Sequence, residues 1–182
     1  SDLRNGLKFS YSILDFERYI DIQKSRAGGE PIMIELEELN SKPLPCLSAH
    51  SGSDEYASYL VAVPGELLAE VYGMYGARLL EQNVRTFLQA RTKVNKGIIE
   101  TIKNSPKMFF AYNNGLTATA SSIEAVKTPN GNLGIVSLSN LQIVNGGQTT
   151  ASILYARDKE KADLSNVFVQ MKLSVVDSNI IE

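Results

Sequence analysis

Leu141-Gln142-Ile143-Val144-Asn145-Gly146-Gly147-Gln148-Thr149-Thr150 reads as a short apolar strand that stops at two glycines, followed by a polar, hydroxyl-bearing run that opens a helix. Glycine accepts a positive φ without a Cβ clash, so the backbone can turn sharply there. The first amides of a helix have no intrahelical acceptor and point at anions well. The strand, Gly-Gly and helix sequence across 144–149 is therefore a candidate phosphate cradle, with Asn145, Gly146, Gly147, Gln148 and Thr149 supplying amides and side-chain donors. The competing reading is an ordinary strand-to-helix turn capped by Thr149 or Thr150. The turn has neither the lysine of a Walker A loop nor the G-x-G-x-x-G spacing, so the ligands of those motifs do not follow from it.

A second turn, Asn113-Asn114-Gly115, follows the aromatic residues Phe109, Phe110 and Tyr112. Asn-Gly is the commonest two-residue hairpin turn, which accounts for it structurally. Against that, the segment before it reads as a helical turn and not as a partner strand, and its aromatics, although more often core, could supply a stacking surface. A basic segment lies upstream. Residues 1–77 hold 12 acids and 6 bases, whereas 78–182 hold 8 acids and 12 bases, so a net charge of −2 conceals halves of −6 and +4. Between 78 and 107 the bases are Arg78, Arg85, Arg91, Lys93, Lys96, Lys103 and Lys107, against Glu81 and Glu100. A polyanionic partner fits that face, and a merely solvated basic surface is the alternative. Arg85 can fork onto a phosphate or pair with Glu81.

With 182 residues and 43% hydrophobic content, the chain is long enough for one domain with a real core. One cysteine, Cys46, and one histidine, His50, exclude a disulfide framework and argue against a Cys/His zinc site. No run approaches the roughly 18 consecutive apolar residues of a membrane span, and no charged-then-apolar leader opens the chain. A reducing cytoplasm is the expected location. The start at Ser1 and the capping-box spacing of Asn179 and Glu182 at the other end mark an expected fragment of a longer protein. Residues 1–76 read as an N-terminal α/β part and 77–182 as the motif-bearing core of a single domain.

Ile32, Ile34 and Leu36 alternate with Met33, Glu35 and Glu37, and Tyr59, Val61 and Val63 alternate likewise, which predicts two half-buried strands. A short helix is expected from Leu14 to Gln23, then a break at Ala27-Gly28-Gly29. Pro43 and Pro45 keep the next connection extended. Pro64-Gly65 opens a helix with Leu67, Leu68, Val71, Tyr72 and Tyr75 on one face, and Val84, Phe87 and Leu88 give a second. Asn95 is a good N-cap for a third helix burying Ile98, Ile99 and Ile102, which Asn104-Ser105-Pro106 ends. Strands follow at Leu116 to Ile123, Leu133 to Leu138 and Leu141 to Val144. Gln148 to Lys161 is a helix with Ala151, Leu154 and Tyr155 inward, and Val167 to Val175 is the clearest strand. The class is α+β, a mixed β-sheet with flanking helices.

Catalytic sets are thin. No Ser-His-Asp set can be argued from His50, which sits between Ala49 and Ser51 in a small-residue loop, and Asp158, Glu160 and Asp163 sit at the far end of a helix from the glycine turns, so no metal site is evident and no cofactor beyond a nucleotide suggests itself.

Four ordered segments carry a resemblance: Leu80-Glu81-Gln82-Asn83-Val84-Arg85-Thr86-Phe87-Leu88, Val94-Asn95-Lys96-Gly97-Ile98, Phe110-Ala111-Tyr112-Asn113-Asn114-Gly115-Leu116, and Gln142 to Thr149. Together they resemble the AIPR family, abortive-infection phage-resistance proteins of bacteria. The resemblance implies a cytoplasmic antiviral role, with an upstream nuclease-like region not evident here and a downstream Asn-rich motif beyond Glu182. More distantly, a strand running into Gly-Gly and a helix is similar to ParB and sulfiredoxin-like folds, where that turn meets a nucleotide phosphate. Gln148-Thr149-Thr150 replace the Cys-His-Arg of sulfiredoxin, so its thiol chemistry is not carried over. The expected site comprises Arg85, Asn95, Asn113, Asn114, Gly115, Asn145, Gly146, Gly147, Gln148 and Thr149, binding a nucleotide or nucleic-acid phosphate. Two alternatives stay open: part of a nuclease or nucleotide hydrolase whose catalytic groups lie elsewhere, and an interaction module that senses a phage component.

Overall fold

The computed structural model describes residues 31–49, 56–80 and 95–176, and the structural statements that follow concern those residues. The expected helix at Leu14 to Gln23, the break at Ala27-Gly28-Gly29, His50, the helix carrying Val84, Arg85, Phe87 and Leu88, and Asn179 with Glu182 lie outside them.

Eight strands form one curled, mixed sheet: β1 (Met33–Glu35), β2 (Leu44–Ser48), β3 (Ala57–Pro64), β4 (Leu116–Ala120), β5 (Ser122–Lys127), β6 (Leu133–Ser139), β7 (Gln142–Asn145) and β8 (Phe168–Val175). The order is β1-β6-β2-β3-β8-β4-β7, with β5 on the other side of β6. All pairings are antiparallel except that of β4 with β8. Four helices accompany them: α1 (Gly65–Tyr75), α2 (Lys96–Asn104), the single turn α3 (Phe109–Tyr112) and α4 (Gly147–Asp158). The expected α+β class is what is observed.

The strand expected at Leu116 to Ile123 is two strands, and the break between them curls the sheet. Through Ala120 the chain pairs with β8, whose following residue Val176 donates its N–H to the Ala120 carbonyl at 3.1 Å. One residue on, the Ser121 N–H donates to the Ser139 carbonyl at 2.9 Å, and from Ser122 the partner is β6. Asn140, at φ 53°, fixes this corner. Its N–H donates to the Ile32 carbonyl at 2.6 Å, its Oδ1 accepts the Ile32 N–H at 3.1 Å, and its Nδ2 donates to Ser121 Oγ at 3.1 Å. One side chain thus joins the approach to β1, the end of β6 and the β4–β5 corner. Asparagine tolerates the left-handed region because its short polar side chain bonds locally.

β2 is a strand where the sequence predicts only an extended connection. Proline removes a ladder donor, but Pro45 is exposed and pairs on one side only, opposite Gly134. A Cβ at Gly134 would come within 2.8 Å of Pro43 Cβ, so glycine admits the proline-rich segment. The first strand is shorter than expected because β6 shares that edge, offering Ser137–Ser139 to β1 and Leu133–Ile135 to β2.

Alternation in β8 buries Val169, Met171 and Leu173, as the sequence predicts, in one cluster with Val61 and Val63 of β3 and Leu116, Ala118 and Ala120 of β4. α1 adds Leu67, Leu68, Ala69 and Val71, with Tyr72 and Tyr75 partly buried. α4 departs from expectation. Its buried residues are Gly147, Thr149, Thr150, Ser152, Ile153 and Ala156, while Ala151 and Leu154 are half-buried and Tyr155 is exposed. Small and hydroxyl side chains face inward because neighbouring backbone comes close there: Ser152 Oγ accepts the Asn95 N–H at 3.1 Å, and Thr150 Oγ1 donates to the Gly146 carbonyl at 3.2 Å. A hydropathy pattern is blind to a face satisfied in this way. No helix among the described residues is long and apolar enough to cross a membrane.

Asn140→Ala removes the side-chain bonds and places a Cβ-bearing non-Asn residue at a left-handed φ, and should cost roughly 2–4 kcal/mol. Asn140→Gly, which keeps the backbone comfortable, should cost less. Urea midpoints for the two variants test this, and equal midpoints would show that the backbone conformation contributes nothing.

Candidate functional site

The two Asn-Gly turns meet. Gly146, at φ 95°, is the N-cap of α4, and a Cβ there would collide with Leu116 Cδ2 and lie 2.9 Å from the Gly115 carbonyl oxygen. Gly115, at φ 76°, is pressed in turn against β8, where a Cβ would strike the Gln170 side chain and carbonyl. Only glycine fits either place.

Asn113 and Asn145 bind backbone. Asn113 follows the single turn of α3, and its Oδ1 accepts the Gly115 N–H at 2.9 Å while its Nδ2 donates to Thr149 Oγ1 at 3.3 Å. Gln170 Nε2 reaches the Asn113 carbonyl at 3.5 Å. Asn145 Oδ1 accepts the Gly146 N–H at 2.8 Å. Asn95 caps α2 as predicted, its Oδ1 accepting from Gly97 and Ile98 at 3.0 and 3.4 Å. Through the Asn95 N–H to Ser152, the start of α2 is tied to α4. Asn95, Asn113 and the α4 N-terminus therefore form one neighbourhood, with a small cavity of about 190 Å³ between α2, Phe109, Tyr112 and Asn113.

Exposure narrows the expected ligand contacts. Asn114, Asn145 and Gln148 are exposed, Gly115 and Gly146 are intermediate, and Gly147 and Thr149 are buried. The amides of Gly115 and Gly146 are occupied by asparagine oxygens, so of the main-chain donors expected across 145–149 that of Gly146 already has an acceptor. Helix geometry gives the amides of Gly147 and Thr149 no intrahelical acceptor, and no side chain caps α4. Thr149 and Thr150 do not serve as the N-cap, which is Gly146. Arg85, the expected charge on the ligand, lies outside the described residues. Within the fourth motif, Gln142 Oε1 is buried without a hydrogen-bond partner.

A larger cleft, about 610 Å³, lies across β2, β3, β8 and β4 and includes Phe110 and Asn114 of the third motif in its lining. Among its other polar residues, Gln170 and Lys172 of β8 were not expected from the sequence. Their signal was present in the alternation of β8, whose outward positions they occupy, but nothing in a single strand says that its outward face is concave. Cys46 also lines the cleft. Burial pushes its thiol above the ordinary value, against a lesser pull from the hydrogen bond with the Ile135 backbone, so near neutral pH it stays protonated and is a poor nucleophile. Among the described residues no group of three His, Cys, Asp or Glu side chains is placed to hold a metal.

These features define a class: an α+β protein with a curled mixed sheet and two interlocked Asn-Gly turns at the start of a buried helix. The AIPR protein family model matches residues 80–182, which takes in all four motifs, and the chain belongs to the AIPR family. Membership implies a part in abortive infection and phage resistance. No curated protein and no solved structure matches the chain, so the likeness to ParB and sulfiredoxin-like folds gains no support.

Asn113→Ala leaves the part-buried Gly115 N–H without its acceptor and should destabilise by about 1–3 kcal/mol. Asn113→Asp keeps that acceptor and loses only the donor to Thr149, so its thermal midpoint should fall between those of Asn113→Ala and the native protein. A midpoint for Asn113→Ala equal to the native one would show that the lock carries no stability.

Proposed function

We propose that this chain is the part of an abortive-infection protein that receives a phosphate of a nucleotide or nucleic acid at the start of α4. The observation that carries the reading is the junction of the two turns. Gly146 in the left-handed region opens a 12-residue helix that no side chain caps, and the second turn packs directly on it. The partial positive charge of a helix N-terminus favours an anion there. Asn145 and Gln148 are exposed beside it and can reach a ligand. Asn95, Asn113 and Gly115 act in this reading by holding the turn in shape, and Arg85 adds a bidentate charge. Such binding would let a reducing cytoplasm's nucleotide pool or an invading nucleic acid be sensed during infection.

Asn145→Asp is the decisive variant. It keeps the Oδ1 acceptor for the Gly146 N–H while placing a carboxylate just ahead of α4. The charge should leave the unliganded protein equally or slightly more stable, by up to about 1 kcal/mol. It should also abolish the rise in thermal midpoint that the native protein shows with inorganic phosphate or adenosine triphosphate at low salt. Arg85→Ala should weaken the same response. If the midpoint shift persists undiminished in Asn145→Asp, or the native protein shows none at low salt, the phosphate reading is wrong.

A further inference from the structure

The 610 Å³ cleft lies outside the phosphate cradle and has its own chemistry. Pairing registers place its floor: Leu47 stands opposite Leu60, Leu60 opposite Lys172, and Lys172 opposite Thr117, so these four cross β2, β3, β8 and β4 in one row. Cross-strand partners share a face. Leu47 is 66% exposed and Leu60 52% exposed, so this is the outer face of the sheet and not the core. Lys172 is exposed, and among the described residues it forms no ion pair within 4.0 Å and no carboxylate lines the cleft. Phe110, 44% exposed, and the amide side chains of Asn114, Asn132 and Gln170 also line it.

Concave sites of a few hundred Å³, mostly apolar with a few convergent polar groups, are the usual form of ligand pockets. Among the described residues the charge is a single ammonium, in surroundings that are otherwise apolar, amide, hydroxyl and thiol, which selects an anion carrying a flat or apolar body. Exposed phenylalanine supplies a stacking surface that accepts any base, and amides can bond to base edges. We infer that this cleft takes one nucleotide unit, its phosphate on Lys172 and its base against Phe110. A free nucleotide and a unit of a single strand offer this same chemistry. A duplex hides its base faces and does not fit. This inference goes beyond the phosphate reading at α4 and uses different residues; the Asn113-Asn114-Gly115 turn is the wall between the two.

The test uses the full chain with three probes: inorganic phosphate, adenosine monophosphate and a short oligo(dT) strand, by calorimetry and by anisotropy of the labelled strand. Lys172→Gln should weaken the two nucleotide probes about tenfold, and the salt dependence of strand binding should fall by about 0.7 in log–log slope for the lost phosphate contact. Phe110→Ala should weaken both nucleotide probes and leave inorganic phosphate unchanged. Binding of the strand without the monophosphate identifies the polymer as the source, and binding of both identifies the free nucleotide as sufficient. Both variants alter exposed side chains, and an unchanged thermal midpoint confirms that each is folded. Asn145→Asp should leave the cleft's affinity within twofold of native, so failure of the phosphate cradle and failure of the cleft are distinguishable. Native affinity for both nucleotide probes in Lys172→Gln and Phe110→Ala overturns the inference. So does self-association in sedimentation that Leu60→Glu abolishes and adenosine monophosphate does not compete, which would make the face a contact between copies of this chain.

Discussion

Close backbone approach at two glycines governs this structure. Gly146 must sit against the Gly115 carbonyl and Leu116, and Gly115 must sit against Gln170, each in the left-handed region. A single methyl group at either place would push β4 away from β8 or α4 away from β4. The parallel pairing of β4 with β8 and the antiparallel pairing with β7 both begin beside these glycines, at Leu116 and Thr117. The turns consequently set the relation between the sheet and its buried helix. Asparagines then satisfy the amides that such sharp turns strand, which is why the two motifs pair Asn with Gly.

The second constraint is at the other end of β4. β4 lies near one end of the sheet, between β8 and β7, and β5 lies at the other, on β6, yet Ser121 alone joins them. Bending at Ser121 lets one strand pair with β8 before the corner and with β6 after it, so the sheet curls. The curl depends on Asn140, whose backbone and side chain bond both sides of the corner. Between the Gly lock and the Asn140 clamp, β4 spans only five residues. Its inward positions, Leu116, Ala118 and Ala120, are mostly small, as the interior of a tightly curled sheet requires.

Much of this was legible where a single periodicity dominates. β8 alternates cleanly because one face is buried, α1 carries a plain apolar stripe, and Asn95 caps α2 because a short acceptor ahead of an apolar helix has little else to do. Legibility failed where tertiary contacts outweigh hydropathy. β2 contains a proline and is admitted only by Gly134 on the neighbouring strand, 89 residues along the chain from Pro45. α4 turns threonine, serine and alanine inward because the α2 N-terminus and its own Gly146 carbonyl need close acceptors and donors. The candidate site was half legible: the turns were found, but the use of Asn113 and Asn145 to bind their own backbone, and the concave outer face bearing Lys172, depend on what the chain brings beside them.

The third motif divides its residues between the interior lock and the outer face of the sheet. Asn113 and Gly115 point into the lock, satisfying and filling the junction with α4 and β8. Phe110 and Asn114 instead line the outer cleft. Substitutions within six consecutive residues should therefore fall into two groups, one that loosens the fold and one that leaves it intact while changing what the cleft accepts. A motif whose every residue was structural would yield only the first kind.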